Sequence, residues 1–292
     1  MPGSLKVLAC YLMWAFLVLY WPLFGAMDPL AVLSFRIVFS MLFCLIVMLI
    51  MGEGPAILAL MKDKKQMLFL FFAGITITIN WGSYIIAVMT GRVIDASLAY
   101  YMSPIFSIVL GFFIYNERLR PMQWVAFVLA IIGVTVPIIA YGQVPVFAII
   151  IGTSFAVYGA IKKQITASGM LSIFMETLMV LPIALIYLMA FSHLEGLGVR
   201  DYLLIPTMGI ATTVPLLLFA VGMKDTSLSV AGVLMYINPT IQLLLGVFIM
   251  GEDFTTIHAW MFVFVWAGVE LFLADGFRER KRSGELKEEQ AE

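Results

Sequence analysis

Ten stretches of roughly twenty apolar residues follow one another along this chain, at about 7–24, 30–51, 66–89, 94–115, 121–140, 145–161, 168–191, 203–222, 227–249 and 257–275. A helix needs ~20 such residues to cross the ~30 Å hydrocarbon layer of a bilayer. In lipid every backbone polar group must be satisfied within the segment, which leaves the helix as the natural state of each run. Composition agrees: 63% of the 292 residues are apolar and 12% are charged, against roughly half and a quarter in soluble domains. The pattern predicts an all-α integral membrane protein of ten transmembrane helices.

The breaks between runs are short and turn-like, among them "AMDP", "MKDKKQ", "NERLRP", "AYGQVP" and "GEDFTT". They leave no room for a soluble domain. The charged end, residues 277–292, reads as a solvated, disordered tail. The first run follows Lys6 without a small-residue cleavage site and is expected to be retained as a helix. With the N-terminus placed inside, fourteen Lys and Arg residues fall on inner segments and two, Arg92 and Arg200, on outer ones. Cytoplasmic loops are enriched in these residues, so both termini are expected in the cytoplasm and the protein in the cytoplasmic (inner) membrane.

A shift of 135 residues lays 74–134 on 209–269 without a gap, with fifteen identities. Shared apolar letters say little, but Gly74/Gly209, Tyr101/Tyr236, Pro104/Pro239, Gly111/Gly246, Glu117/Glu252 and Gly133/Gly268 fall in one register. The chain therefore reads as two five-helix repeats, 1–140 and 141–276. Five is odd, so the second repeat enters the membrane from the opposite side. Inverted repeats are the architecture of many secondary transporters, whose substrate sites lie near the midplane between the halves.

Polar groups inside the spans mark where such a site would sit, since each costs free energy unless it meets a partner or water. Helical neighbours lie three or four positions apart, which puts Ser97, Tyr100 or Tyr101, Pro104, Ser107 and Gly111 on one stripe and Gly232, Tyr236, Pro239, Gln242 and Gly246 on its counterpart. Trp14, Arg36, Asn80, Trp81, Tyr84, Tyr100, Tyr101, Ser103, Tyr236, Asn238 and Gln242 are the candidate substrate contacts, with Pro104 and Pro239 as helix kinks. Glycines in these stripes are read as close-packing positions. Arg36 is expected ~9 Å below the outer surface, from ~1.5 Å per residue, with Asp95 as its partner. Glu176 is expected to pair with Lys162 or Lys163. Asp95, Glu176 and Glu270 are ion-pair or coupling-proton candidates, with snorkelling to water the simpler reading of Glu270. Glu117 and Glu252 are read as caps or anchors.

Other function classes find little footing. A net charge of −1 argues against nucleic acid as a partner. Cys10 and Cys44 lie in apolar runs without metal-ligand spacing, and His193 and His258 are far apart. No cofactor or metal is expected. A membrane-embedded transferase on a lipid-linked substrate would need an interfacial cluster of acids or histidines, which these loops lack. The expected partners are the lipid bilayer and a small-molecule substrate; a homodimer is compatible with this composition.

Six blocks carry a resemblance over nearly the whole chain outside the tail: "NWGSYIIAV" (80–88), "DASLAYYMSP" (95–104), "ERLRPMQWVA" (117–126), "YGAIKK" (158–163), "METLMVLPIALIYL" (175–188) and "TTVPLLLFA" (212–220). They resemble the RarD family, EamA-type members of the drug/metabolite transporter superfamily. The resemblance implies a cytoplasmic-membrane permease for a small organic metabolite or drug and no enzyme activity. The departures are Trp14-Ala15 for a usual Trp-Gly, Tyr20-Trp21-Pro22 in place of a lysine, Phe35 and Phe39 around Arg36, and Met235 for a common glutamine. No ATP-binding motif is present, so a proton-coupled exporter is expected, with an uncoupled facilitator or channel as the nearer rival.

Overall fold

The computed structural model describes residues 2–115, 120–142, 144–192, 194–195, 197–223, 226 and 234–289. Among them every regular element is helical. We number these α1 (Gly3–Tyr20), α2 (Pro29–Ile50), α3 (Gly54–Met61), α4 (Lys64–Met89), α5 (Val93–Tyr115), α6 (Pro121–Tyr141), α7 (Val146–Lys162), α8 (Gly169–Ala190), α9 (Val199–Leu204), α10 (Thr207–Met223), α11 (Ile237–Phe248) and α12 (Thr256–Glu289). Seven helical segments among the described residues are long and apolar enough to cross a membrane. The helices α7 and α11 are shorter and apolar, and α5 coincides with the run at 94–115.

Local signals in the breaks set the helix starts. Asp28 accepts from the backbone N–H groups of Leu30 and Ala31 at 3.0 and 2.9 Å, with Pro29 at the first helical position of α2. Asp63 caps α4 in the same way through Lys65 and Gln66. A side-chain oxygen at this position satisfies donors that the helix cannot.

Several elements differ from the sequence reading. A short helix, α3, fills part of the break after α2. The run at 203–222 is divided into α9 and α10 around Pro206. The chain turns at Tyr236 before α11 begins, because Pro239 lacks the N–H that would bond Met235 and its ring crowds that carbonyl. Pro239 thus ends up in the first turn of α11, where proline is tolerated. Around Pro104, by contrast, α5 continues unbroken from Val93 to Tyr115; the side chain of Pro104 lies outside the described residues, as do Glu117 and His193. The tail, expected as a disordered end, continues α12 as far as Glu289. Its Glu, Lys and Arg residues are strong helix formers propagating an existing helix.

Packing is nearly unchanged when the two halves are exchanged. Helix α4 packs on α7 and α8, while α10 packs on α1 and α2; α5 packs on α7 and α11 packs on α1. Three helices meet their own counterparts in the other half: α2 with α8, α5 with α11, and α6 with α12. Matched glycines allow the closest approaches. A Cβ on Gly74 would lie 2.7 Å from the carbonyl oxygen of Glu176, and one on Gly209 would lie 2.3 Å from that of Phe39. Small residues let helices in lipid approach until dispersion contacts hold them. Arg120 pairs with Asp275 at 2.5 Å, joining the start of α6 to α12.

Candidate functional site

A cavity of about 480 Å³ lies between the halves. Eight helices wall it: α1, α2, α4 and α5 from the first half and α7, α8, α10 and α11 from the second. Among the described residues, helices α6 and α12 contribute none to the wall. The size falls in the range of small-molecule sites.

Arg36 is the wall's most constrained cation. It sits about two turns into α2 and is only 6% exposed. Its guanidinium lies 4.1 Å from the ring centroid of Trp81 and 4.9 Å from that of Trp21. The Nε donates to Thr212 Oγ1 at 3.1 Å. That hydroxyl gives its own proton to the Met208 carbonyl at 2.9 Å, one helical turn back, and so presents a lone pair to the arginine. The expected partner, Asp95, is not there. Helix α2 packs chiefly on α8, α10 and α4, whereas Asp95 stands in the first turn of α5, where Arg92 and His258 are its nearby cationic groups.

A second polar centre lies where α7 meets α8. Glu176 is 2% exposed, and its Oε1 accepts from Lys162 Nζ at 2.8 Å and Ser172 Oγ at 2.6 Å. Its Oε2 accepts from the Tyr158 hydroxyl at 2.9 Å. Lys162 and Tyr158 line the cavity, while Glu176 stands behind them. Three donors therefore converge on this one carboxylate.

Aromatic groups form two flanks. On one, Tyr11, Trp14 and Phe219 meet with centroids 5.8–6.1 Å apart. On the other, Tyr84 contacts Tyr100 at 5.8 Å and Tyr100 contacts Phe155 at 6.3 Å. Asn80 spends its Nδ2 on the Ile151 carbonyl at 2.7 Å and on Ser154 Oγ at 3.1 Å, tying α4 to α7. Gln242 donates to Asn238 Oδ1 at 2.8 Å. Among the described residues, Gln242 Oε1 and the Tyr84 hydroxyl are buried without a hydrogen-bond partner.

Of the residues predicted from sequence, the cavity wall brings together Trp14, Arg36, Asn80, Trp81, Tyr84, Tyr100, Ser103, Asn238, Pro239 and Gln242. Tyr101 and Tyr236 lie off the wall. They stack on each other, and Tyr101 also meets Phe262 and Trp266 edge-on. Successive residues are about 100° apart around a helix, so with Tyr100 turned to the cavity Tyr101 points elsewhere. Glu270 is exposed on α12, away from the cavity. Glu252 accepts from the backbone N–H groups of Val93 and Ile94, the latter at 2.8 Å, and so caps α5 from the opposite half.

Sequence reasoning passed over Tyr11, Phe155, Tyr158, Thr212 and Phe219. One signal was available: the 135-residue shift carries Tyr84 onto Phe219. The others are ordinary apolar-helix residues until neighbouring helices are placed.

The sequence profile of the EamA-like transporter family matches residues 1–138 and again 144–274. The chain is 37% identical over 276 residues to an uncharacterized transporter, YojE, of Bacillus subtilis (strain 168), covering 92% of this chain and 93% of that one. It is 33% identical over 286 residues to protein RarD of Escherichia coli (strain K12), covering 96% and 97%. A crystal structure of a protein 17% identical shares the fold at a TM-score of 0.62, over 92% of this chain and 96% of that one.

Proposed function

We propose that this chain, which belongs to the EamA-like transporter family, moves a small organic metabolite or drug across the cytoplasmic membrane by alternating access between its two halves. The observation that carries this reading is the cavity of about 480 Å³ walled by four helices of each half. A site at the seam of two repeats is exposed to either side by rocking one half against the other. Ten crossings, inverted halves and cytoplasmic termini belong to the same reading, supported by the two family matches along the chain and by the fourteen-to-two distribution of Lys and Arg. Net movement is outward.

Coupling to protons through Glu176 or Glu270 finds less support in their surroundings. Glu176 is tied by three donors, and Glu270 faces away from the cavity. The nearer alternative is an uncoupled facilitator or channel. Purified protein in liposomes distinguishes them: a carrier shows saturable counterflow, with labelled solute accumulating transiently against an unlabelled load, whereas a channel shows none. Absence of any solute flux over a metabolite panel would overturn the transporter reading.

A further inference from the structure

The cavity wall carries one cation, Arg36, whose charge no carboxylate among the described residues answers. Lys162 is matched by Glu176 at 2.8 Å. Arg36 makes no ion pair among the described residues, and the titratable groups beside it are the hydroxyls of Tyr100, Tyr84 and Tyr20. Arginine cannot escape by losing its proton in a protein. A buried charge without a charged partner is costly, and cation–π contacts with two indoles offset only part of that cost. The site is therefore built to be completed by something else.

The geometry restricts what that is. Trp81 and Trp21 lie 4.1 and 4.9 Å from the guanidinium carbon, and the guanidinium N–H groups point outward in its own plane. Thr212 takes the Nε, and among the described residues nothing accepts from Nη1 or Nη2. In-plane approach to a pair of parallel N–H groups is the bidentate geometry of a planar carboxylate. One negative charge neutralises the wall, whereas a phosphate dianion would leave a charge buried. The wall of the same cavity supplies flat apolar surfaces: Trp14, Tyr100, Phe155 and Phe219.

Resting on the transporter reading above, we infer that the solute is a monocarboxylate with an apolar or aromatic body, its carboxylate held by the Nη groups of Arg36. The body lies between the two aromatic flanks. Gln242 Oε1, an acceptor without a donor, supplies a place for a hydrogen-bond donor on that body.

Equilibrium binding to the purified full-length protein in detergent tests this without requiring transport. The probes are hydrocinnamate, hexanoate and N-acetylphenylalaninate, each against its primary amide, with phenethylphosphonate as the tetrahedral rival. The carboxylates should bind at least about tenfold tighter than their amides, the size of one charge-assisted hydrogen bond. Arg36→Gln should erase that preference while leaving amide binding in place, and Arg36→Lys should restore only part of it. Carboxylates no tighter than amides, a preference that survives Arg36→Gln, or a phosphonate that outbinds the carboxylate would each overturn the inference. Should Arg36→Gln fail to fold, the wild-type carboxylate-to-amide ratio still decides, and Thr212→Val should reduce it. Carboxylate binding without counterflow would sink the transporter reading alone; counterflow of an uncharged solute with no carboxylate preference would sink this one alone.

Discussion

Tyr101 stacks on Tyr236, their ring centroids 6.1 Å apart and their planes 15° from parallel. The two residues are mates under the 135-residue shift. A residue touches its own repeat mate only where the axis relating the halves passes between them. The stack therefore marks that axis, where α5 meets α11, with the cavity to one side.

Removing this stack should weaken the seam rather than the binding site. Tyr101→Ala is expected to cost about 3 kcal/mol, because the ring also meets Phe262 and Trp266 and its hydroxyl bonds Thr240. Tyr101→Phe should cost about 1 kcal/mol, the value of the hydrogen bond. Thermal unfolding in detergent reads both. Tyr100→Ala, by contrast, should weaken solute binding, since Tyr100 lines the cavity.

The matched glycines should be unequal in their tolerance of a methyl group. A Cβ at Gly209 meets backbone at 2.3 Å and one at Gly74 meets backbone at 2.7 Å. Overpacking of this kind costs about 1–3 kcal/mol. Gly209→Ala should lower the melting temperature more than Gly74→Ala does, and the reverse order would contradict the packing described.

Glu176→Gln removes the charge that answers Lys162 and keeps the side chain's shape. Breaking a buried ion pair costs on the order of 3 kcal/mol, so this variant should melt earlier at neutral pH. Glu270→Gln should change neither melting nor transport, because its carboxylate is exposed away from the cavity. Loss of pH-driven flux in Glu270→Gln alone would restore that residue as a proton carrier.

Glu252 closes the start of α5 through two backbone amides. A carboxylate at a helix N-terminus is worth about 1 kcal/mol as cap and charge together. Glu252→Ala should speed hydrogen exchange at Val93 and Ile94 by several-fold and leave exchange in α8 unchanged.

Much of this arrangement can be read from residue order alone, because lipid enforces a simple rule: apolar runs become helices. The short breaks at "AMDP" and "MKDKKQ" and the standing of Arg36, Asn80 and Gln242 as polar residues inside spans follow from that rule. What escapes it depends on neighbours. Whether Tyr100 or Tyr101 faces the cavity is a 100° rotation that the shared stripe does not settle. Arg36 was assigned to Asp95 by depth, yet depth ignores which helices touch, and its actual neighbours come from α10 and the indoles. The run at 203–222 conceals its division because Pro206 interrupts a helix without changing hydropathy.

Gly209 approaches Phe39 as its repeat mate Gly74 approaches Glu176, which makes Phe39 and Glu176 corresponding positions on the second helices of the two halves. Three residues back along each helix, Arg36 corresponds to Ile173, which also lines the cavity. Two identical halves would present two arginines here or none. In this chain the two positions differ, so the one wall cation without a carboxylate partner among the described residues sits on one side of the seam, and a solute with one charged end, if bound there as inferred above, would be held in one orientation. Duplication built a symmetrical frame, and the loss of symmetry at this one pair of positions gave it a polarity.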